Sequence, residues 1–225
     1  MVHSSYGRDL LVGELGVDPR KVRVIHHGAF KYLTFQEREL PLPAELAAVS
    51  SPVVLFFGLI RPYKGVEVLL DAWRGIEDAE LWIVGRPRMP IAPLRARAPA
   101  SVRFVPRYVS DAELPAFFRR ADVVVLPYSR TERFDQSGVL AIALAFGKPT
   151  VVSDVGGFGE VAAAGAARVV PPEDPDALRA AVAGLLADPQ EREGLASGAL
   201  TAASGPYSWQ EAAAQTLALY RELVG

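Results

Sequence analysis

The chain has 225 residues, half of them apolar, with a net charge of only −2 and a pI near 6. It is long enough to bury a core without staples and offers no basic surface for nucleic acid or a polybasic membrane anchor, so any anion site must be local. The lack of cysteine excludes disulfide frameworks, thiolate metal sites and cysteine nucleophiles, and fits a reducing compartment, with the cytoplasm as the default.

Taken in chain order, Met1 to Tyr6 shows neither a basic nor an apolar leader region, so no secretory signal is expected. Residues 4–16 predict a helix, and Val22 to His26 a first strand. The polar, proline-containing stretch 31–50 predicts a connection that is either partly helical or a mobile flap. Short β-rich runs then follow at Val53 to Phe57, Leu81 to Val84, Val102 to Val105, Val123 to Leu126, Thr150 to Ser153 and Arg168 to Val170. Between them lie segments of helical spacing: Val66 to Ile76, Asp111 to Arg119 with a cap-like start at Ser110 to Glu113, Ser137 to Ala145 and Pro175 to Ala187. Alanine-rich helices over Gln190 to Ala203 and Ser208 to Val224 close the chain. This alternation predicts an α/β, doubly wound and mostly parallel, Rossmann-like sheet. The longest apolar runs fall far short of the roughly 20 residues that cross a bilayer.

Two segments carry anion chemistry. Gly58 to Gly65 ends a buried strand with Arg61 and Lys64, where open α/β sheets expose their ligand-binding ends. Arginine grips two phosphate oxygens at once, while lysine adds a compact, adjustable charge. The other segment, Gln136-Ser137-Gly138-Val139, turns into a helix whose first amides lack intrahelical partners. A phosphate would satisfy them, with Gly138 permitting close approach; the plainer reading makes Ser137 a simple N-cap. His26 and His27 follow the first predicted strand with no carboxylate partner in view, and turn packing accounts for them. Tyr207-Ser208-Trp209 reads as a helix entrance with an aromatic anchor. No Gly-x-Gly-x-x-Gly follows the first strand, which argues against an NAD oxidoreductase.

Gly58 to Gly65, Ala121 to Pro127, Gln136 to Gly147-Lys148-Pro149, and Ser153-Asp154-Val155-Gly156-Gly157 together resemble the C-terminal, nucleotide-sugar-binding domain of retaining GT-B "group 1" glycosyltransferases. Val24 to Gly28 is similar to the turn that opens this domain, and Leu81 to Gly85 to its central segment. The resemblance implies residues 1–20 as a linker and helix from a missing N-terminal half, and 21–225 as the donor-binding domain. It implies a nucleotide diphosphate sugar as partner and transfer of its sugar, with Arg61 and Lys64 neutralising the leaving diphosphate. The amides at Ser137 to Val139 would bind that diphosphate, beside Gly58 and Gln136. The nucleobase would lie near Gly85, Arg86, Tyr108 and Val109. No metal or other cofactor is then needed, nucleic acid is no partner, and membrane contact is expected only through the missing acceptor half.

The family's two glutamates, eight positions apart, fall here on Phe134 and Ile142. Neither side chain accepts a hydrogen bond. Glu132 and Asp135 lie close enough to replace the first after a loop shift, and nothing nearby replaces the second. The alternative reading is therefore a non-catalytic nucleotide-sugar-binding module or an inactive homologue.

Overall fold

Six short runs of β-branched and aromatic residues carry the architecture of the computed structural model, which describes residues 1–131 and 136–225. They are β1 (Val53–Phe57), β2 (Glu80–Val84), β3 (Val102–Val105), β4 (Val123–Leu126), β5 (Thr150–Ser153) and β6 (Arg168–Val170). All neighbours pair in parallel, in the order β3-β2-β1-β4-β5-β6. Every residue of β1 and β4 is buried. Helices cover both faces of such a sheet, which is why these strands read as unbroken apolar runs.

The helices are α1 (Ser5–Gly13), α2 (Ala44–Ala47), α3 (Val66–Trp73), α4 (Ala92–Arg97), α5 (Leu114–Arg120), α6 (Gly138–Ala145), α7 (Phe158–Ala163), α8 (Pro175–Ala187), α9 (Pro189–Ser204) and α10 (Trp209–Val224). Successive strand side chains point to opposite faces. Val54 and Phe56 accordingly pack with Leu69, Leu70 and Trp73 of α3 and with Val182 and Leu185 of α8. Val53, Leu55 and Phe57 pack on the other side with Phe117 and Phe118 of α5 and Ala143 of α6. A third cluster joins Leu126, Tyr128 and Val152 to Leu140 and Leu144 of α6, Phe158 of α7 and Ala199 of α9.

The expected first strand, Val22 to His26, is not one. Among the described residues it makes only a parallel bridge between Val24 and Val2, through Val2 N–H to Arg23 O (2.9 Å) and Ile25 N–H to Val2 O (2.9 Å). Its β-rich composition is used for burial of Val22 and Ile25, but no sheet edge runs beside it to build a ladder on. The connection 31–50 is partly helical, with a 3-10 turn at Lys31–Thr34 and the short α2. Leu33 and Leu46 are buried in the α5 cluster, while Arg119 pairs with Glu39 and donates to Thr34 O at 3.1 Å, so the segment is fastened down. The cap-like Ser110 to Glu113 precedes α5 by a turn: both the amide (3.1 Å) and the hydroxyl (2.9 Å) of Ser110 donate to Glu113. Arg107, at 2.6 Å, and then the Ser110 amide hold the Glu113 carboxyl down to about 2. Two short helices, α4 and α7, lie where no helix was expected, one opened by a proline and the other following a Gly-Gly pair.

The chain lays β2 and β3 on one side of β1, then returns to place β4 on the other. The carboxyl ends of β1 and β4 thus diverge into the crevice where open sheets hold ligands. Among the described residues no helix is long and apolar enough to cross a membrane.

Candidate functional site at the β1 and β4 switch point

Past Phe57 the backbone turns at Gly58 (φ 116°), whose amide donates to Val84 O at 2.9 Å. Gly85 (φ 141°) does the same for β2, and a Cβ on it would stand 1.8 Å from Gly58 O. Only glycine fits this close approach. Buried Ile60 then joins the β2 exit, with its amide 3.1 Å from Arg86 O and the Arg88 amide 2.9 Å from Ile60 O. Arg61, Arg86 and Arg88 are brought to one rim, all exposed and none paired with a carboxylate among the described residues.

A 3-10 turn, Pro62–Lys64, comes next and ends on Gly65 in the left-handed region (φ 70°). A Cβ at Gly65 would lie 1.7 Å from Pro127 O, so the turn rests directly on the exit of β4. The Ser129 amide donates to Tyr63 O at 2.9 Å and pins it from the other side. This directs Lys64 inward: its side chain is buried, with Nζ donating to the Tyr128 hydroxyl and standing 3.8 Å from that ring's centroid. Burial, with Arg61 adding repulsion, lowers the lysine to about 8. Tyr128 is itself fully buried, which pushes its phenol well above the usual range.

The Tyr128 hydroxyl also meets Ser137 Oγ at 3.0 Å. Ser137 has the extended backbone of an N-cap, yet its hydroxyl makes no cap bond, so the simple N-cap reading does not hold. Among the described residues the first turn of α6 is left without a side-chain cap, and the first amides and positive dipole end of a helix favour an anion. Gly138 is exposed, and a Cβ there would be in ordinary contact with Phe30 at 3.5 Å. A Cβ on Gly58 would come 3.1 Å from Val139 Cγ2, which shows how closely the β1 exit and the α6 entrance approach.

Other expected residues stand differently. Gln136 turns its amide to His3 O (3.3 Å), toward the first residues of the chain. Tyr108 is exposed on the β3 exit, whereas Val109 is buried in the α5 cluster and offers a ligand only backbone. Ile142 lies in that same apolar cluster, at the position where the resemblance places a carboxylate. Glu132, Phe134 and Asp135 lie outside the described residues. Lys148 is remote from the crevice: at the opening of β5 its Nζ caps the last turn of α5 through Arg119 O (3.0 Å) and Ala121 O (2.8 Å).

Sequence reasoning missed Tyr128, whose signal was its place one residue past Pro127 at a strand end. It also missed a carboxylate near His26: Glu160 Oε2 lies 3.9 Å from His26 Nδ1, while Oε1 accepts the Ser5 amide at 2.7 Å. His26 Nδ1 faces His3 O at 3.1 Å and its ring packs on Tyr207, so this cluster fastens the entry of the chain. A cleft of about 480 Å³ opens beside α1, lined by Tyr6, Arg130, Thr131 and Asp154 among others.

A model of the family "Glycosyl transferases group 1" matches residues 51–188. The chain is 33% identical over 231 residues to an MMP alpha-(1->4)-mannosyltransferase of Mycolicibacterium hassiacum, covering 99% of this chain and 53% of that protein. It is 36% identical to a phosphatidyl-myo-inositol mannosyltransferase of Mycolicibacterium smegmatis, over 76% of this chain and 45% of that one. It thus spans about half the length of these relatives. Among solved structures, sucrose-phosphate synthase from Thermosynechococcus elongatus superposes with a TM-score of 0.76 at 26% identity, over 99% of this chain and 57% of that one. Anabaena HepE, solved in complex with UDP, shares the fold with a TM-score of 0.84 at 20% identity, over 98% of this chain and 63% of its own. On the family match and on these identities, the chain belongs to the group 1 glycosyl transferases.

Proposed function

We propose that this chain is the donor-binding half of a retaining glycosyltransferase, holding a nucleoside diphosphate sugar by its diphosphate. The observation that carries this reading is a buried lysine at the strand switch point, paired with no carboxylate among the described residues, beside a helix entrance that the Ser137 side chain does not cap. Lys64 and Arg61 supply cations from the β1 side, and the first amides of α6 supply donors from the β4 side. The mannosyltransferase names among the relatives and the UDP bound by HepE favour a nucleotide-activated sugar over other anions.

In the reaction, the bond between the sugar's anomeric carbon and the diphosphate oxygen breaks and a bond to the acceptor hydroxyl oxygen forms on the same face. Negative charge grows on the departing diphosphate, whose oxygen takes up the proton that the acceptor hydroxyl gives up. Fixed cations and helix amides aimed at that charge stabilise the transition state more than the ground state. The acceptor site belongs to the other half of the protein, and α10 offers that half an apolar stripe, with Trp209, Leu217 and Tyr220 half or more exposed. Alone, this domain binds donor and transfers little, because the acceptor is not held beside it.

A binding module without turnover is the second reading, favoured by one observation: apolar Ile142 is buried where the family carries an acid. Calorimetry with a panel of nucleoside diphosphates and their sugars tests the site. Lys64→Ala and Arg61→Ala are expected to weaken binding about tenfold or more, the scale of a lost charge-assisted bond. If no nucleotide binds, the donor-site reading fails. Transfer assays on the full-length protein separate enzyme from module.

A further inference from the structure

We propose that Tyr128 is the positioning residue of the anion clamp: one phenol oxygen fixes both the Lys64 ammonium and the Ser137 hydroxyl, and so sets the strand-tip cation against the α6 entrance before any anion arrives. The inference rests on reading this crevice as a diphosphate site.

An ammonium can only donate, so the phenol oxygen is the acceptor for Lys64. The ring that carries this oxygen is held rigidly. It is fully buried among Leu140, Leu144 and Phe158, with Phe158 at 5.3 Å between centroids. The backbone on both sides is tied to the turn that bears the lysine: Pro127 O abuts Gly65, and the Ser129 amide bonds Tyr63 O. Tyr128 therefore meets the Lys64 turn through main chain, ring face and hydroxyl together, while its hydroxyl reaches the first residue of the opposing half.

Among the described residues the groups facing the ammonium are few. From its own turn come the Arg61 guanidinium and the Tyr63 ring, 5.3 Å from Nζ to centroid; from the β4 exit comes Tyr128, with Ser137 of the α6 entrance behind it. No carboxylate pairs with Lys64 among the described residues. Burial and then the repulsion of Arg61 lower it to about 8; the phenol oxygen and the aromatic face beside it favour the charged form. A diphosphate brings the absent counter-charge. The lysine then binds its proton more tightly, and binding above about pH 7 takes up protons.

The test follows the ε-carbon resonances of the four lysines, Lys21, Lys31, Lys64 and Lys148, in ¹³C-lysine-labelled protein through a pH titration. Lys64 is expected to titrate near 8, and at a higher pH when UDP, GDP or inorganic pyrophosphate is added. In Tyr128→Phe the ring stays and the acceptor is lost. The Lys64 midpoint falls, affinity at pH 7 drops about tenfold, and the fall of affinity with rising pH begins at lower pH in step with the midpoint. Ser137→Ala leaves the Lys64 bond in place and its midpoint where it was. A Lys64 midpoint unmoved by Tyr128→Phe, or moved equally by Ser137→Ala, overturns the proposal. A wild-type midpoint unchanged when the diphosphate is bound overturns it without any variant. Failure of wild type to bind any of the three probes overturns the diphosphate reading, and the proposal with it.

Discussion

On the proposed reading, the charge that Lys64 brings to a diphosphate is one that the fold itself disfavours, with the folded value lowered from 10.5 to about 8. A lysine lowered in this way burdens the folded state fully below about pH 8, and the burden is relieved as pH rises from there toward 10.5. Lys64→Met is therefore expected to stabilise the domain by on the order of 2 kcal/mol at pH 7 while nucleotide binding weakens about tenfold or more. Denaturant unfolding at pH 7 and pH 9.5 checks the sign: the wild type gains stability across this interval relative to the methionine variant. The placement of Arg61 and Lys64 at the exit of β1 was legible because their charges follow an apolar run of strand length, at the end where open sheets hold ligands. Tyr128 carried only the weak signal of its place after Pro127 at a strand end, which ordinary core shares, and the fold alone shows its hydroxyl between the Lys64 ammonium and the Ser137 hydroxyl. Gln136 was expected at the ligand, but its side chain reaches a carbonyl 133 residues away, a contact for which no local pattern exists.

Elements whose burial is complete on both faces were legible almost to the residue, as β1 and β4 show, because an unbroken apolar run of strand length has few other uses. Val22 to His26 has a similar composition and forms no ladder, since pairing depends on a neighbour that sequence periodicity does not supply. The short α4 and α7 carry too few residues to show a helical period. At the entrance of α5 the sequence signal was right about the partners and early about the first turn. Glu113 there is held low by Arg107 and by the Ser110 amide, so its contribution is in place above about pH 4.5 and is lost as pH falls toward 2. Glu113→Gln is expected to flatten the loss of stability between pH 5 and about 2, as followed by urea unfolding at stepped pH; an acid limb of unchanged slope would count against the Arg107 pairing.

At the scale of the molecule, order is uneven. One face of the sheet and α3 share one buried cluster, whereas no residue of α10 is buried. The start of α10 is anchored, with Trp209 laid over Gly28 and 5.0 Å from His27, but its later turns depend on little besides a link from Arg23 to Glu222 at 3.4 Å. Amide exchange is expected to be fastest along the second half of α10 and slowest in β1 and α3, a ranking that mass spectrometry after a short deuterium pulse reads directly. If the proposed acceptor half covers the exposed stripe of α10, those same amides become protected in its presence.

The turn bearing Arg61 is stapled at both ends, through Ile60 to the β2 exit and through Tyr63 to Ser129. A loop that must be gathered around its ligand loses backbone freedom at the moment of binding, about 1 kcal/mol or more for each residue fixed. Here that freedom was given up during folding. If the proposed diphosphate is the ligand, the guanidinium's side chain alone remains to be ordered, and the electrostatic gain is expected to be returned nearly whole as affinity, with a small entropic penalty and little change in heat capacity from the turn itself.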